Sequence, residues 1–139
     1  MDKRAVKAFK KELENYSFYK INLRGTLDLI DYNVNLLENV HGIDPKKEPS
    51  HSTGTKPWQE TDSYHRIRLE LDRLEARRDL RIRQISYIES VLSKLDAETR
   101  RIIEEIYLYG FGYDMVAQRM HISKTALFNR IERRLSRFL

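Results

Sequence analysis

The sequence predicts an all-α protein, in which a long, coiled-coil-like helical hairpin is followed by a three-helix unit with a helix-turn-helix. The composition favours helices, since the 139 residues include only 5 Gly and 3 Pro and 34% are charged. Two long stretches repeat apolar residues at alternating spacings of three and four. The C-terminal segment, residues 96–139, contains two short amphipathic stretches around a tight break.

The first helix is expected over residues 1–40. Its apolar seam is the run Phe9, Leu13, Tyr16, Lys20, Leu23, Leu27, Ile30, Val34 and Leu37. Gly25 interrupts this helix at a cost of about 1 kcal/mol relative to Ala. The pattern stops at Val40, and residues 41–62 contain all three prolines of the chain. With two glycines and several Ser and Thr, that segment is typical of a flexible linker.

The second long helix is expected over residues 63–95, with Asp62 or Ser63 as its N-cap. Its seam is the run Ile67, Leu71, Leu74, Arg78, Arg81, Ile85, Ile88, Leu92 and Leu95. An isolated helix cannot bury its apolar face, so we expect antiparallel packing with Phe9 near Leu95. The hairpin either supports the C-terminal unit or forms a dimerisation arm, and the sequence leaves both possibilities open. Charged seam positions can fix register or oligomeric state.

The segment 96–139 is expected to hold three short helices. Asp96 can cap the first, and Gly110 is a plausible stop for it. Gly112 precedes the second helix, which is expected to end at Met120. Ser123 sits where the N-cap of the third helix belongs.

The last two helices match the requirements of a helix-turn-helix. Such a motif needs a small residue where its helices cross, an apolar residue in the turn and apolar anchors on the inner face. Ala117 is the small residue, Ile122 lies in the turn, and the remaining anchors are Val116, Met120, Leu127, Ile131, Leu135 and Phe138. His121 occupies a turn position where Gly is usual, and His tolerates a left-handed conformation better than most residues. We therefore interpret His121 as a turn residue rather than a ligand.

The stretch SKLDAETRRIIEEIYLYGFGYDMVAQRMHISKTALFNRIERRL resembles region four of bacterial sigma factors. In that family a capped helix precedes a Gly-containing turn, a short helix with a central Ala, then Ile-Ser and a basic recognition helix. The upstream helices and linker resemble the RinA/ArpU type of phage transcriptional regulators. This resemblance implies a phage or prophage late-gene activator. No sigma region two is recognisable, so it does not imply a complete sigma factor.

Basic charge is concentrated at the C-terminal end. Five Lys and Arg stand against the single acid Glu132 in residues 121–139, in a chain of net charge +5. This distribution favours a polyanionic partner, double-stranded DNA. The residues predicted to contact DNA are Ser123, Lys124, Thr125, Phe128, Asn129, Arg130, Arg133, Arg134 and Arg137.

The roles of these residues follow from general rules of DNA recognition. Lys124 suits guanine acceptors and Asn129 suits adenine, and Thr125 suits a base or a phosphate. Phe128 either touches a thymine methyl group or packs within the protein.

The arginines further along the helix are expected to bind phosphates, as is Arg119 if it faces the DNA backbone. Alternatively, Arg130 and Arg134 are solvated or paired with Glu104, Glu105 or Glu132.

Other properties bound the function. We expect no enzyme, because the sequence has no Gly-rich phosphate loop and no Ser/His/Asp order. No cofactor or metal is expected, since the chain has no Cys and scattered His. No apolar run is long enough for a membrane or a signal peptide, which predicts a soluble cytoplasmic protein.

RNA polymerase and a second copy of the chain, joined through the long helices, are further candidate partners. The alternatives are a small terminase subunit and a sigma-like adaptor to RNA polymerase.

Overall fold

The computed structural model describes residues 3–40 and 57–139, and within those ranges every regular element is helical. The helices are α1 (Lys3–Val40), α2 (Pro57–Ser93), α3 (Ala97–Ile103), α4 (Tyr113–Arg119) and α5 (Lys124–Ser136). Helix α3 continues into a π-helical turn over Glu104–Leu108. The predicted all-α fold class, with long helices followed by a three-helix C-terminal unit, is therefore confirmed.

Helix α2 begins earlier than the sequence predicts. It starts at Pro57, inside the segment expected to be linker, so Asp62 and Ser63 lie within the helix instead of capping it. Proline suits the first position of a helix because its missing N–H has no intrahelical partner there. Residues 41–56 of the predicted linker lie outside the described residues.

The chain forms two compact units. One consists of Met1–Lys20 and Ile82–Leu139, and the other of Ile21–Arg81. We call them the terminal unit and the middle unit. Each contains a part of α1 and a part of α2.

The terminal unit has one apolar core to which all five helices contribute. Its buried members include Val6, Phe9, Leu13, Ile88, Val91, Leu92, Leu95, Ile102, Ile103, Ile106, Val116, Ala117, Leu127, Ile131 and Leu135. The start of α1 and the end of α2 therefore pack into the same apolar core as the three short helices. Each fully buried Leu or Ile contributes about 1.5–3 kcal/mol relative to exposure. Within this unit the Tyr16 hydroxyl also donates to Glu89, at 2.6 Å.

The middle unit pairs α1 with α2 through buried polar groups as well as apolar ones. Thr26 is fully buried, its hydroxyl donates to the Asn22 carbonyl at 2.7 Å, and it accepts from Arg77 Nε at 3.0 Å. Arg81 Nε donates to the Asn22 side-chain oxygen at 2.9 Å. Both pairs lie within one residue of the antiparallel register predicted from the two apolar seams, in which Phe9 lies near Leu95. Arg77 and Arg81 of α2 are therefore each hydrogen bonded to a polar side chain of α1.

The predicted seam of α1 is wrong at every second position after Tyr16. Lys20, Leu27 and Val34 are exposed. The buried residues are instead their immediate predecessors Tyr19, Thr26 and Asn33. Two consecutive spacings of three, from Leu13 to Tyr16 to Tyr19, shift the phase of the seam by three residues, as a stammer does in a coiled coil. The shift keeps Lys20 in solvent, which a strict heptad would not.

The predicted seam of α2 agrees with the structure. Five of the predicted seam positions are buried, Leu71, Leu74, Ile88, Leu92 and Leu95, and Val91 is buried beside them. The others, including Arg78 and Arg81, are half-buried. Both arginines therefore lie at the seam with their charged ends able to reach polar partners or water.

Local signals in the C-terminal segment are confirmed. The Asp96 carboxylate accepts from the Thr99 N–H at 3.1 Å, and the Ser123 hydroxyl accepts from the Ala126 N–H at 3.0 Å. Gly110 has φ 76°, which ends the helix in the left-handed region that glycine adopts without strain. His121 has φ 58°, as its place in the turn requires.

The π-helical turn places a carboxylate in the interior. Glu105 is 7% exposed, and it accepts from Arg101 Nε at 3.2 Å and from the Arg119 guanidinium. The hydrogen bond from Arg119 holds the pKa of Glu105 below its usual value. This contact joins the π-helical turn to the end of α4.

We predict that Thr26→Val lowers the free energy of unfolding by about 1–2 kcal/mol, because Arg77 loses its acceptor in the seam. Thr125→Val makes the same chemical change at an exposed position of α5 and serves as the control. Urea denaturation followed by circular dichroism measures both. Equal small effects from the two variants would contradict the role assigned to Thr26.

We predict that Glu105→Gln destabilises the protein by about 1 kcal/mol at neutral pH, since both arginines reach solvent and screening weakens the pair. Because the pKa of Glu105 is lowered, its carboxylate contributes its full stabilisation above the ordinary Glu pKa of 4.5. That stabilisation is lost as the pH falls through the pKa of Glu105 in the folded protein.

The difference in thermal midpoint between wild type and Glu105→Gln should therefore shrink as the pH is lowered below about 4.5. A difference that stays constant from neutral to acidic pH would show that the charge of Glu105 is not what stabilises this turn.

Candidate nucleic-acid interface

Helices α4 and α5 form the helix-turn-helix expected from the sequence. Ala117 is buried where the two helices cross, with Val116 beside it. The Ile122 N–H donates to the Ala117 carbonyl at 3.0 Å and the His121 N–H to the Gln118 carbonyl at 3.1 Å, which closes the turn. The inner face of α5 is fully buried and consists of Leu127, Ile131 and Leu135. The position and rotation of α5 are thereby fixed.

The side of α5 that faces away from this core is polar and exposed. At 3.6 residues per turn, Thr125, Asn129 and Arg133 follow one another along the middle of that side. All three are exposed. We call this strip the outer face of α5. The outer face presents a hydroxyl, an amide and a guanidinium group. These groups lie on α5, the helix that the sequence predicts to contact base edges.

The first turn of α5 places two predicted contact residues differently. The Ser123 hydroxyl is occupied as the N-cap acceptor, so its observed role is to begin the helix. Lys124 extends toward the start of α4, with its ammonium 3.7 Å from an Asp114 carboxylate oxygen. Both of these charged side chains are mostly exposed, and such a pair contributes little to stability.

One flank of the outer face carries a cluster of arginines, which we call the arginine flank. Arg130, Arg133, Arg134 and Arg137 line a shallow concavity of about 300 Å³. Arg130 forms an ion pair with Glu98 on α3, with an N···O distance of 3.1 Å. Its ion pair is thus with Glu98, and none of the three acids considered from the sequence is its partner. Four guanidinium groups around one concavity make a site suited to phosphate oxygens.

The opposite flank of the outer face carries Phe128 and Glu132. Phe128 is 45% exposed, and its ring centroid lies 6.1 Å from that of Tyr113 and 4.0 Å from the Lys10 ammonium. Lys10 also forms an ion pair with Glu132. Phe128 therefore packs on one side, as one of its two predicted roles required, and stays open on the other.

Burial raises the pKa of the neighbouring Tyr113 hydroxyl to about 12, so that it stays protonated.

Helix α1 contributes a group of lysines to this flank. Lys3, Lys7 and Lys10 line an open groove of about 930 Å³ together with Phe128, Asn129, Glu132 and Arg133. None of these three lysines is among the residues that the sequence predicts to contact DNA. Their spacing of four and three puts them on one face of a helix, which was the available signal. Nothing local indicates that this face meets α5, which is more than 110 residues away in the chain.

Arg119 is half-exposed, but its guanidinium is held in an ion pair. It is hydrogen bonded to Glu105, so the phosphate contact considered for it from the sequence competes with a structural role. Among the described residues no His, Cys, Asp or Glu cluster could hold a metal ion. No helix in the described ranges is long and apolar enough to cross a bilayer.

Comparison with known families identifies a match in the C-terminal part of the chain. Residues 85–137 match the family described as Sigma-70, region 4. The match begins within α2 and ends just after α5, so the last turns of α2 belong to it and well under half of the chain is covered. No curated protein and no solved structure matches the chain. The C-terminal part of this protein is therefore similar to a helix-turn-helix unit of DNA-binding regulators.

Proposed function

We propose that this protein is a sequence-specific transcriptional regulator that inserts α5 into the major groove of double-stranded DNA. The observation that carries the proposal is the outer face of α5, polar and exposed, with the arginine flank beside it. A recognition helix requires this arrangement, since side chains at its centre meet base edges while cations at its margins meet phosphates. The similarity of residues 85–137 to sigma region 4 supports the same role.

Base contacts are assigned to the first half of α5. Asn129 has the geometry for a bidentate contact to adenine, and Lys124 suits guanine acceptors once its exposed pairing with Asp114 is exchanged for a base. Thr125 reaches a base or a phosphate, and the open side of Phe128 is available to a thymine methyl group. Phosphate contacts are assigned to Arg130, Arg133, Arg134 and Arg137.

A homodimer through the long helices is part of the proposal, because a single small helix-turn-helix rarely gives enough specificity. Within the middle unit, α1 has an exposed apolar stripe of Ile21, Leu29 and Tyr32. Gly25 lies in the same stripe, and a Cβ added there would meet no atom of the chain within 4 Å. A second copy of α1 could approach closely at this glycine.

The biological setting follows from the resemblance to RinA/ArpU-type regulators. We propose a phage- or prophage-encoded activator of late genes that acts in the bacterial cytoplasm, with RNA polymerase as a second partner of the sigma-like unit. A small terminase subunit and a polymerase adaptor are the alternatives. A ring-shaped oligomer would favour the terminase, and lack of DNA affinity would favour the adaptor.

The DNA-binding role is tested with 30-base-pair duplexes selected from a random library by the wild-type protein. Asn129→Ala should lose about 1–3 kcal/mol of discrimination at one base position of the selected sequence. Arg133→Ala should weaken binding to every sequence alike and make the negative slope of log K against log salt less steep by about 0.9. Fluorescence anisotropy over a salt series measures both effects.

Arg66→Ala is the matched control, because Arg66 is an exposed arginine on α2 in the middle unit. It should leave affinity and slope unchanged. Failure of selection to enrich any sequence, with flat weak binding to all duplexes, would reject the proposed function.

The dimer is tested by light scattering at micromolar concentration, where the wild type should have twice the 16.7 kDa mass of one chain. Ile21→Glu with Leu29→Glu should give a monomer, because carboxylates cannot be buried against an apolar partner. Leu27→Glu with Val34→Glu is the control, since both residues are exposed on the other flank of α1. A monomeric wild type would reject the dimer.

A further inference from the structure

The two flanks of α5 differ in charge. On one side the helix itself carries Arg130, Arg134 and Arg137. On the other side it carries Phe128 and Glu132, an aromatic ring and an acid. A helix in the major groove has a phosphate backbone on each side of it, and both are negatively charged. An acid on one flank would therefore oppose binding unless another element supplied positive charge there.

Helix α1 supplies that charge. Lys10 forms an ion pair with Glu132 and lies over the ring of Phe128, so it neutralises the acid and fixes the start of α1 beside α5. Lys7 and Lys3 lie on the same face of α1, one and two helical turns before Lys10. They line the same groove as Asn129 and Arg133. The three lysines span about 10 Å along the helix axis at 1.5 Å per residue.

The chemistry of Lys3 and Lys7 differs from that of Lys10. Both are exposed, and neither is held in an ion pair by any residue of the described ranges. Lys10 has an internal partner and acts as a positioning residue. Lys3 and Lys7 are compact cations on flexible stems, which suits contact with phosphate oxygens and gives no information about base sequence.

We propose that Lys3 and Lys7 of α1 bind the DNA phosphate backbone along the Phe128–Glu132 flank of α5. The DNA-contacting surface then combines the two ends of the chain, with the arginine flank facing one strand and α1 facing the other. This inference rests on the proposed function, because it requires α5 to lie in the major groove. It adds a second element to the interface, upstream of the segment that resembles sigma region 4.

The experiment compares Lys3→Gln/Lys7→Gln with wild type on the tightest selected 30-base-pair duplex. Glutamine keeps the helix propensity of lysine, so α1 should stay folded, and circular dichroism checks this. Loss of two phosphate contacts should make the negative slope of log K against log salt less steep by about 1.8. The ranking of the selected sequence against its single-base variants should be unchanged, since the lysines do not touch bases.

Lys20→Gln/Arg24→Gln is the control. It removes two exposed cations at the same spacing on the same helix, away from the groove, and should leave the slope at the wild-type value. An unchanged slope, or tighter binding, in Lys3→Gln/Lys7→Gln would overturn this inference while leaving the proposed function intact. Equal losses in both double variants would reduce it to a general effect of net charge. A wild type that binds no duplex would reject the proposed function, and this inference with it.

Discussion

The burial of the inner face of α5 is the constraint on which the rest of the structure depends. Helices α3 and α4 have seven residues each, too short to be stable in water without packing. They hold α5 only because the start of α1 and the end of α2 complete the core around Leu127, Ile131 and Leu135. The rotation of α5, and with it the side chains offered to a ligand, therefore depends on α1 and α2, which precede the helix-turn-helix in the chain.

Signals that act over a few residues could be predicted from the sequence. Asp96 and Ser123 begin helices because their side chains accept from backbone N–H groups three residues on, and this depends little on the rest of the fold. His121 adopts its left-handed conformation because the turn demands it. The order of these signals is also what predicted the outer face of α5. The match to sigma region 4 begins upstream of them, inside α2.

Features that depend on tertiary packing could not be predicted. The seam of α1 changes phase after Tyr16, because burial of Tyr19 and exposure of Lys20 satisfy both side chains, whereas a strict heptad would bury the lysine. The packing of α1 beside Phe128 depends on an ion pair between Lys10 and Glu132, for which neighbouring residues give no sign. Likewise, the partner of Arg130 is an acid on α3 that helical spacing does not bring near it.

The shared core of α1 and α5 has a consequence for how the protein is made. Phe9 and Leu13 are translated early, but other members of the same core, among them Ile131 and Leu135, are added more than 110 residues later. Contacts of such long sequence separation form slowly, because the intervening chain must be brought together before they give any stability. During translation, the growing chain therefore lacks the completed core. Only a chain extended through α5 can present the outer face, so a translation product that ends before α5 would lack this surface.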